Sequence, residues 1–348
     1  MTENINILIA DDSMFMRHLT SDIFKNAGGF NVMDFARDGK EAAEKCFLLK
    51  PDVVIMDMLM GEYDGIFGVK MIMEKCPTPI IILSALGATD MEPILKALKM
   101  GAIDYHNKPD RSSKNIKEDD QELVSKVKAA SLVILKDYVK NTKDIKENIF
   151  QHTFSKNLNY DVIVIGSSTG GPTAVESVLT RLPGNLTVPV LIAQHMPENF
   201  VPSFAARLDQ LTPLKVSMAK KDDVLEAGKV LIAPGSRNLI VRQEVNGKVV
   251  CDFTPNRYKD FNFPSVTGLM LSVAEVYGSR AIGIILTGMG RDGSEGIKAI
   301  MDKGGYTIAQ SKETCAVYGM PREAVEIGAI KKIVPLNEIG LFVVSCLE

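Results

Sequence analysis

Short runs of apolar, mostly β-branched residues alternate along nearly the whole chain with stretches whose apolar residues recur three and four positions apart. In the first part the runs INILIA, FNVMDFA, VVIMD, PIIILSA and AIDYHNK predict five strands separated by amphipathic helices. That is the pattern of a parallel α/β sheet, and five strands fit a flavodoxin-like order. The spacing predicts a last helix over 118–135, with Leu123, Val124, Val127 and Leu135 on one face. Residues 136–158, rich in Lys and Asn with scattered apolar positions, read as a linker between a domain at 1–135 and another at 159–348. The second domain restarts with YDVIVIG and continues through VPVLIAQH, KVLIAP, RAIGIILTG and YTIAQ, predicting a doubly wound, mostly parallel α/β domain. Within it, NLIVRQEVNGKVVCDF predicts a β-hairpin turning at Asn246-Gly247 in a type I′ turn.

Length and composition agree with this division. A chain of 348 residues has room for two cores, and 46% apolar with 24% charged residues is ordinary globular usage. A net charge of −3 and the lack of a basic recognition helix give no reason to expect nucleic acid or an anionic membrane as the main partner. No apolar run approaches the ~18 residues of a membrane span, so no direct membrane insertion is expected. The opening MTENINILIADD lacks the basic and apolar regions of a signal peptide. Five cysteines without a C-x-x-C pair read as reduced thiols of a cytoplasmic protein.

Ligands of open α/β sheets gather at the carboxyl ends of the strands. Asp11 and Asp12 end the first predicted strand, Asp57 the third, Ser84 the fourth and Lys108 the fifth. Three carboxylates at one edge repel one another unless a cation holds them, and Mg²⁺ suits such hard oxygen ligands. Lys108 and Ser84 are then placed to bind the oxygens of a phosphoryl group carried by one of the acids. Any one of these residues alone would read as a solvated or capping side chain.

The stretch VIVIGSSTGGPTA admits two chemistries. A dinucleotide site needs an acid about 20 residues on, at the end of the next strand; that strand ends in Gln194-His195. A hydrolase needs a serine on a strand-to-helix turn, and Ser168 is central to a G-x-S-x-G match. Its base should be a histidine. Of His18, His106, His152 and His195, only the last falls in the second domain, also at a strand end. Asp292, in the glycine-rich loop MGRDGSEG, is the better third member than Glu295 further along the next helix. The bland alternative makes Ser168, His195 and Asp292 three unrelated capping residues. Donors for a tetrahedral oxyanion are expected from the N–H of Thr169 and from the Met289-Gly290 loop.

At the strand-end residues the first domain resembles a response-regulator receiver domain. The motifs IGSSTGGP, QHMP, VLIAPG, FPSV, ILTGMGRDG and YGMPREA make the second resemble the catalytic domain of chemotaxis protein-glutamate methylesterases, the CheB family. The resemblance implies that Asp11, Asp12 and Asp57 bind Mg²⁺ and that Asp57 accepts a phosphoryl group from a histidine kinase. Ser84, Tyr105 and Lys108 fall on its switch positions. It implies Ser168, His195 and Asp292 as the triad, and Thr169 and Met289 as lining the oxyanion site. The implied substrate is a glutamate methyl ester on the cytoplasmic helices of a chemoreceptor, with glutamine deamidation a second activity of some members. It further implies that the unphosphorylated receiver covers the cleft. The chain departs from the family at Gly61, where Pro is common, at His106, usually apolar, and at Phe263–Thr267, where the family reads R-P-S-V-D. The remaining alternatives are a receiver joined to a dinucleotide-binding output domain, and a non-catalytic adaptor docking on chemoreceptors.

Overall fold

The computed structural model describes residues 4–84, 91–109, 116–133, 160–258 and 263–348. The chain divides into two compact units, Met1–Val139 and Lys140–Glu348. The linker expected at 136–158, His152, Leu135 and part of the stretch NRYKDFN lie outside the described residues.

The first unit has strands β1 (Ile5–Ala10), β2 (Phe30–Ala36), β3 (Val53–Asp57), β4 (Ile80–Ser84) and β5 (Asp104–Asn107). Its helices are α1 (Met14–Ala27), α2 (Gly39–Leu49), α3 (Gly65–Lys75), α4 (Glu92–Lys99) and α5 (Ile116–Ala130). The strands form one parallel sheet in the order β2-β1-β3-β4-β5. Every residue of β3 and β4 is buried because helices cover both faces, so these strands are unbroken apolar runs. The strand order reverses between β1 and β3, which opens a crevice at their carboxyl ends. The last helix stops at Ala130 and not at 135: Ser131 N–H still reaches Val127 O, but Leu132 and Val133 bond only three residues back, tightening the chain out of the α-helix. Leu123 and Val127 are buried as the spacing predicts.

The second unit is a seven-stranded parallel sheet in the order β14-β13-β12-β6-β7-β9-β8. Its strands are β6 (Val162–Ser167), β7 (Val190–Gln194), β8 (Lys215–Met218), β9 (Lys229–Ile232), β12 (Ala281–Ile285), β13 (Tyr306–Gln310) and β14 (Lys332–Val334). The antiparallel pair β10 (Asn238–Gln243) and β11 (Val249–Thr254) stands apart as a hairpin. Helices α6 (Gly171–Leu179), α7 (Val201–Leu211), α8 (Val266–Tyr277), α9 (Ser294–Asp302), α10 (Met320–Glu326) and α11 (Leu336–Leu347) complete the layers. From β6 the chain winds outward one way through β7, and from β12 the other way. The crevice of this sheet therefore lies between β6 and β12.

Two expectations need correction here. The edge strands β8 and β14 escape a reading based on apolar runs because they are four and three residues long and carry lysine. The hairpin at β10 and β11 forms, but not through a type I′ turn, which needs positive φ at both central residues. Only Gly247 has it, at φ 84°, and its N–H bonds Glu244 O at 2.9 Å, so Val245 and Asn246 make an ordinary turn that Gly247 closes.

Gly166, near the end of β6, is where α8 comes closest to the sheet: a Cβ there would lie 2.1 Å from Val266 Cγ1. Gly166→Ala is therefore expected to destabilise the protein by about 1–3 kcal/mol in urea unfolding, with most of the loss recovered in Gly166→Ala/Val266→Ala.

Candidate functional site

The carboxyl edge of the second sheet carries the candidate nucleophile. β6 ends at Ser167, and the chain turns into α6 through Ser168, Thr169 and Gly170. Ser168 N–H donates to Thr287 O at 3.0 Å and Gly171 N–H to Ser168 O at 2.7 Å, so the turn is held from both sides. Gly170 caps the helix at φ 74°, a left-handed conformation that glycine takes without the Cβ clash of other residues. Ser168 is thus not the helix cap, and its hydroxyl is directed to a histidine.

His195 follows β7, the direct neighbour of β6, and its N–H continues the ladder to Ser167 O at 3.0 Å. Its Nδ1 lies 3.1 Å from Ser168 Oγ and its Nε2 2.8 Å from Asp292 Oδ2. Since an ionised carboxylate only accepts, Nε2–H donates to Asp292, which leaves Nδ1 as the acceptor for the serine proton. The three side chains named from sequence come together as one hydrogen-bonded line drawn from β6, β7 and the loop after β12.

Asp292 is buried and does not cap the helix that follows it; Gly293 does. Its partners belong to the start of α8. Val266 N–H donates to Oδ2 at 2.8 Å, Thr267 N–H to Oδ1 at 2.9 Å, and Ser265 Oγ–H to Oδ1 at 3.2 Å. Ser265 works in two directions, since its oxygen also accepts Gly268 N–H at 3.1 Å as the cap of α8. The carboxylate thus sits at the positive end of a helix. Burial pushes its pKa up, but the bond to His195, the imidazole's charge and the amides of Thr267 and Val266 outweigh that, lowering it to about 2. Thr267, where the resemblance leads one to expect Asp, accepts Gly293 N–H through its own hydroxyl at 2.7 Å. It holds the backbone next to Asp292 without adding a second negative charge.

Of the expected oxyanion groups, Thr169 is buried and Met289 is 37% exposed at the rim. Among the described residues, neither backbone N–H meets a backbone acceptor. Thr287, which the sequence reading passed over, shapes this corner: its hydroxyl donates to Thr169 O at 2.9 Å and accepts Val317 N–H at 2.9 Å. The Ser265–Thr267 segment enters the sequence reading only through the motif FPSV and the departure at Phe263–Thr267, with no role assigned to its side chains. Its signal was legible as a serine opening an apolar helix, but nothing in the spacing ties that cap to Asp292.

At the crevice of the first sheet, one carboxylate oxygen from each of Asp11, Asp12 and Asp57 lies within 4.8 Å of the others. Asp11 and Asp57 are buried and Asp12 is exposed. Lys108 Nζ is 2.8 Å from both Asp11 Oδ2 and Asp57 Oδ2. Burial is the largest influence on Asp57 and raises its pKa; Lys108 pulls it back and the charge of Asp11 pushes it up again, for a net rise. An all-oxygen donor set under this charge strain fits a hard divalent ion of the Mg²⁺ kind. Ser84 ends β4 next to this group, its carbonyl bonded to Lys108 N–H at 2.6 Å. Tyr105 is buried on β5 beneath Lys126, whose Nζ stands 5.4 Å from its ring centre. His106 is buried behind Lys126, its Nδ1–H bonded to Asn107 O at 2.6 Å; burial and the nearby Lys126 lower its pKa. Gly61 has φ 60°, which a proline, fixed near −65°, cannot adopt, so the β3–α3 loop takes a different path here.

The lowered pKa of Asp292 has a stability consequence. Its folded value lies below the unfolded value near ~3.9, so its stabilising contribution is full above that pH and is lost as pH falls toward about 2. Asp292→Asn is expected to be less stable than the parent by about 2 kcal/mol at pH 7. In urea melts the gap should narrow steadily below pH 4; a gap independent of pH would contradict the assignment of this charge.

The family model described as CheB methylesterase matches residues 163–343, and the response regulator receiver domain matches residues 7–118. A relative from Archaeoglobus fulgidus, named protein-glutamate methylesterase/protein-glutamine glutaminase, is 41% identical over 99% of this chain and 98% of its own. One from Carboxydothermus hydrogenoformans with the same activities in its name is 41% identical over 97% of each chain. The crystal structure of the Thermotoga maritima CheB methylesterase catalytic domain superposes with a TM-score of 0.52 at 37% identity, covering 53% of this chain and 98% of that one. The chain belongs to the CheB methylesterase family, with a response-regulator receiver domain ahead of its catalytic domain.

Proposed function

We propose that this protein hydrolyses glutamate methyl esters on chemoreceptors, with Ser168 as nucleophile, His195 as base and Asp292 as the group that orients and charges the base. The observation that carries this is the unbroken line Ser168 Oγ–His195–Asp292, with contacts of 3.1 and 2.8 Å. A serine hydroxyl is a weak nucleophile until a base takes its proton in the attack. Here Nδ1 takes it, the imidazolium forms against an ionised Asp292, and the oxyanion develops toward the N–H groups of Thr169 and the Met289 loop. The imidazolium then protonates the departing methoxide, releasing methanol and leaving the glutamyl group on Ser168. Water activated by the same nitrogen frees the carboxylate. An amide leaving as ammonia follows the same path, which is how the glutaminase named in the relatives fits this site.

In the receiver domain, Asp57 accepts a phosphoryl group from a histidine kinase. Asp11, Asp12 and Asp57 would hold a Mg²⁺ ion, which would supply positive charge against the oxygens of a phosphoryl group in transfer. Lys108 and the Ser84 hydroxyl take up those oxygens afterwards, and Tyr105 follows Ser84 in the switch. Phosphorylation favours a more active state of the enzyme. The receiver spans 1–135, the linker 136–158 and the catalytic domain 159–348, and the protein acts in the cytoplasm.

Ser168→Ala is expected to abolish methanol release from methylated receptor membranes while Asp57 still takes up phosphate from a small phosphodonor. Retained release would remove the nucleophile assignment. The phosphodonor should raise methanol release by the unaltered protein and leave Asp57→Asn unchanged. A chelator of divalent ions should abolish phosphorylation without lowering basal hydrolysis.

A further inference from the structure

We infer that Gln194 is a positioning residue that fixes the distance between nucleophile and base, an inference that rests on the roles proposed for Ser168 and His195. Its side chain is 2% exposed and fully engaged. Nε2 donates to Ser168 O at 3.0 Å and to His195 O at 2.9 Å, and Oε1 accepts Ser167 Oγ–H at 2.6 Å.

The need for such a residue comes from where the sheet stops. The β6–β7 pairing ends at Ser167 opposite Gln194, and the bond from His195 N–H to Ser167 O is the last of its ladder. The two reacting residues lie just past that end, where no backbone bond joins one to the other. The Gln194 amide takes over: its two N–H groups join the carbonyls of the nucleophile and the base. Both carbonyls are fixed relative to one planar group, and a shift of either loop breaks a buried hydrogen bond. Gly171 belongs to the same device. A Cβ at 171 would lie 2.0 Å from Gln194 Oε1 and 2.9 Å from Ser167 Cβ. The second glycine of the Gly-Gly pair thus leaves the volume the amide occupies.

Gln194→Met keeps the bulk and removes all three bonds. In the full-length protein acting on methylated receptor membranes, kcat should fall about 10- to 100-fold with KM within about 3-fold, because misplacement of reacting groups weakens the transition state more than substrate binding. Gln194→Glu adds a readout that a packing role would not move. Its carboxylate opposes two carbonyls and is inactive when ionised, but once protonated it regains one donor. The ratio of Gln194→Glu to Gln194→Met turnover should therefore rise as pH falls. Gly171→Ala should lower kcat and melting temperature alone, and cost far less melting temperature when added to Gln194→Ala.

Unaltered kcat in Gln194→Met would overturn the inference, as would a defect confined to KM. If Gln194→Met does not fold, Gln194→Glu decides: turnover relative to the parent that rises as pH falls supports the inference, and a ratio independent of pH overturns it. Ser168→Ala separates the two levels. Activity in that variant removes the nucleophile itself, whereas an inactive Ser168→Ala beside a fully active Gln194→Met removes only the positioning role.

Discussion

A buried negative charge organises the catalytic domain. Asp292 sits in a low-dielectric site where an unpaired carboxylate would be strongly disfavoured. It is kept ionised by two helix-terminal amides, a serine hydroxyl and an imidazole. Three partners come from the start of α8 and the fourth from the end of β7, so satisfying the charge also sets the orientation of α8, the loop after β12 and the His195 ring. The contact of α8 with Gly166 near the end of β6 ties the same helix to the strand that leads into Ser168. Packing and electrostatics converge on one point.

The receiver domain solves a related problem differently. Asp11 and Asp57 are buried together with one lysine shared between them, and the backbone amides that reach them are Ser13 N–H on Asp11 Oδ1 and that of Leu59 on Asp57. One cation between two buried anions leaves the cluster short of positive charge, which is reflected in the raised pKa of Asp57. A site in this condition responds strongly to an added divalent ion or a covalent change at Asp57. The fully satisfied Asp292 does not. The contrast suits a switch in one domain and a steady catalytic arrangement in the other.

Central strands were legible because burial on both faces leaves them as plain apolar runs, β3, β4, β6, β7 and β12 among them. The edge strands were not, because half-exposed lysine-bearing segments such as Lys332–Val334 look like loops. The residues with distinctive chemistry, Ser168, His195 and Asp292, could be picked out by elimination among few candidates at strand ends. Ser265, Thr287 and Gln194 could not. They are uncharged, common residue types, and their meaning lies in a partner far along the chain, as with the 118 positions separating Thr287 from the carbonyl it holds. The hairpin shows a related limit: Asn-Gly marks where the chain turns, while the turn's geometry depends on how the strands already lie.

The ring orientation of His195 carries a mechanical consequence. The nitrogen facing Ser168 is Nδ1, bonded directly to the carbon that joins the ring to its methylene, whereas Nε2 lies at the far side toward Asp292. The proton-accepting atom is therefore the ring nitrogen nearer the main chain, and few bonds separate it from the backbone whose displacement it follows. Two constraints then locate it: the bond of Nε2 to Asp292 stops the ring from turning, and the bond of His195 N–H to Ser167 O anchors the backbone beneath it.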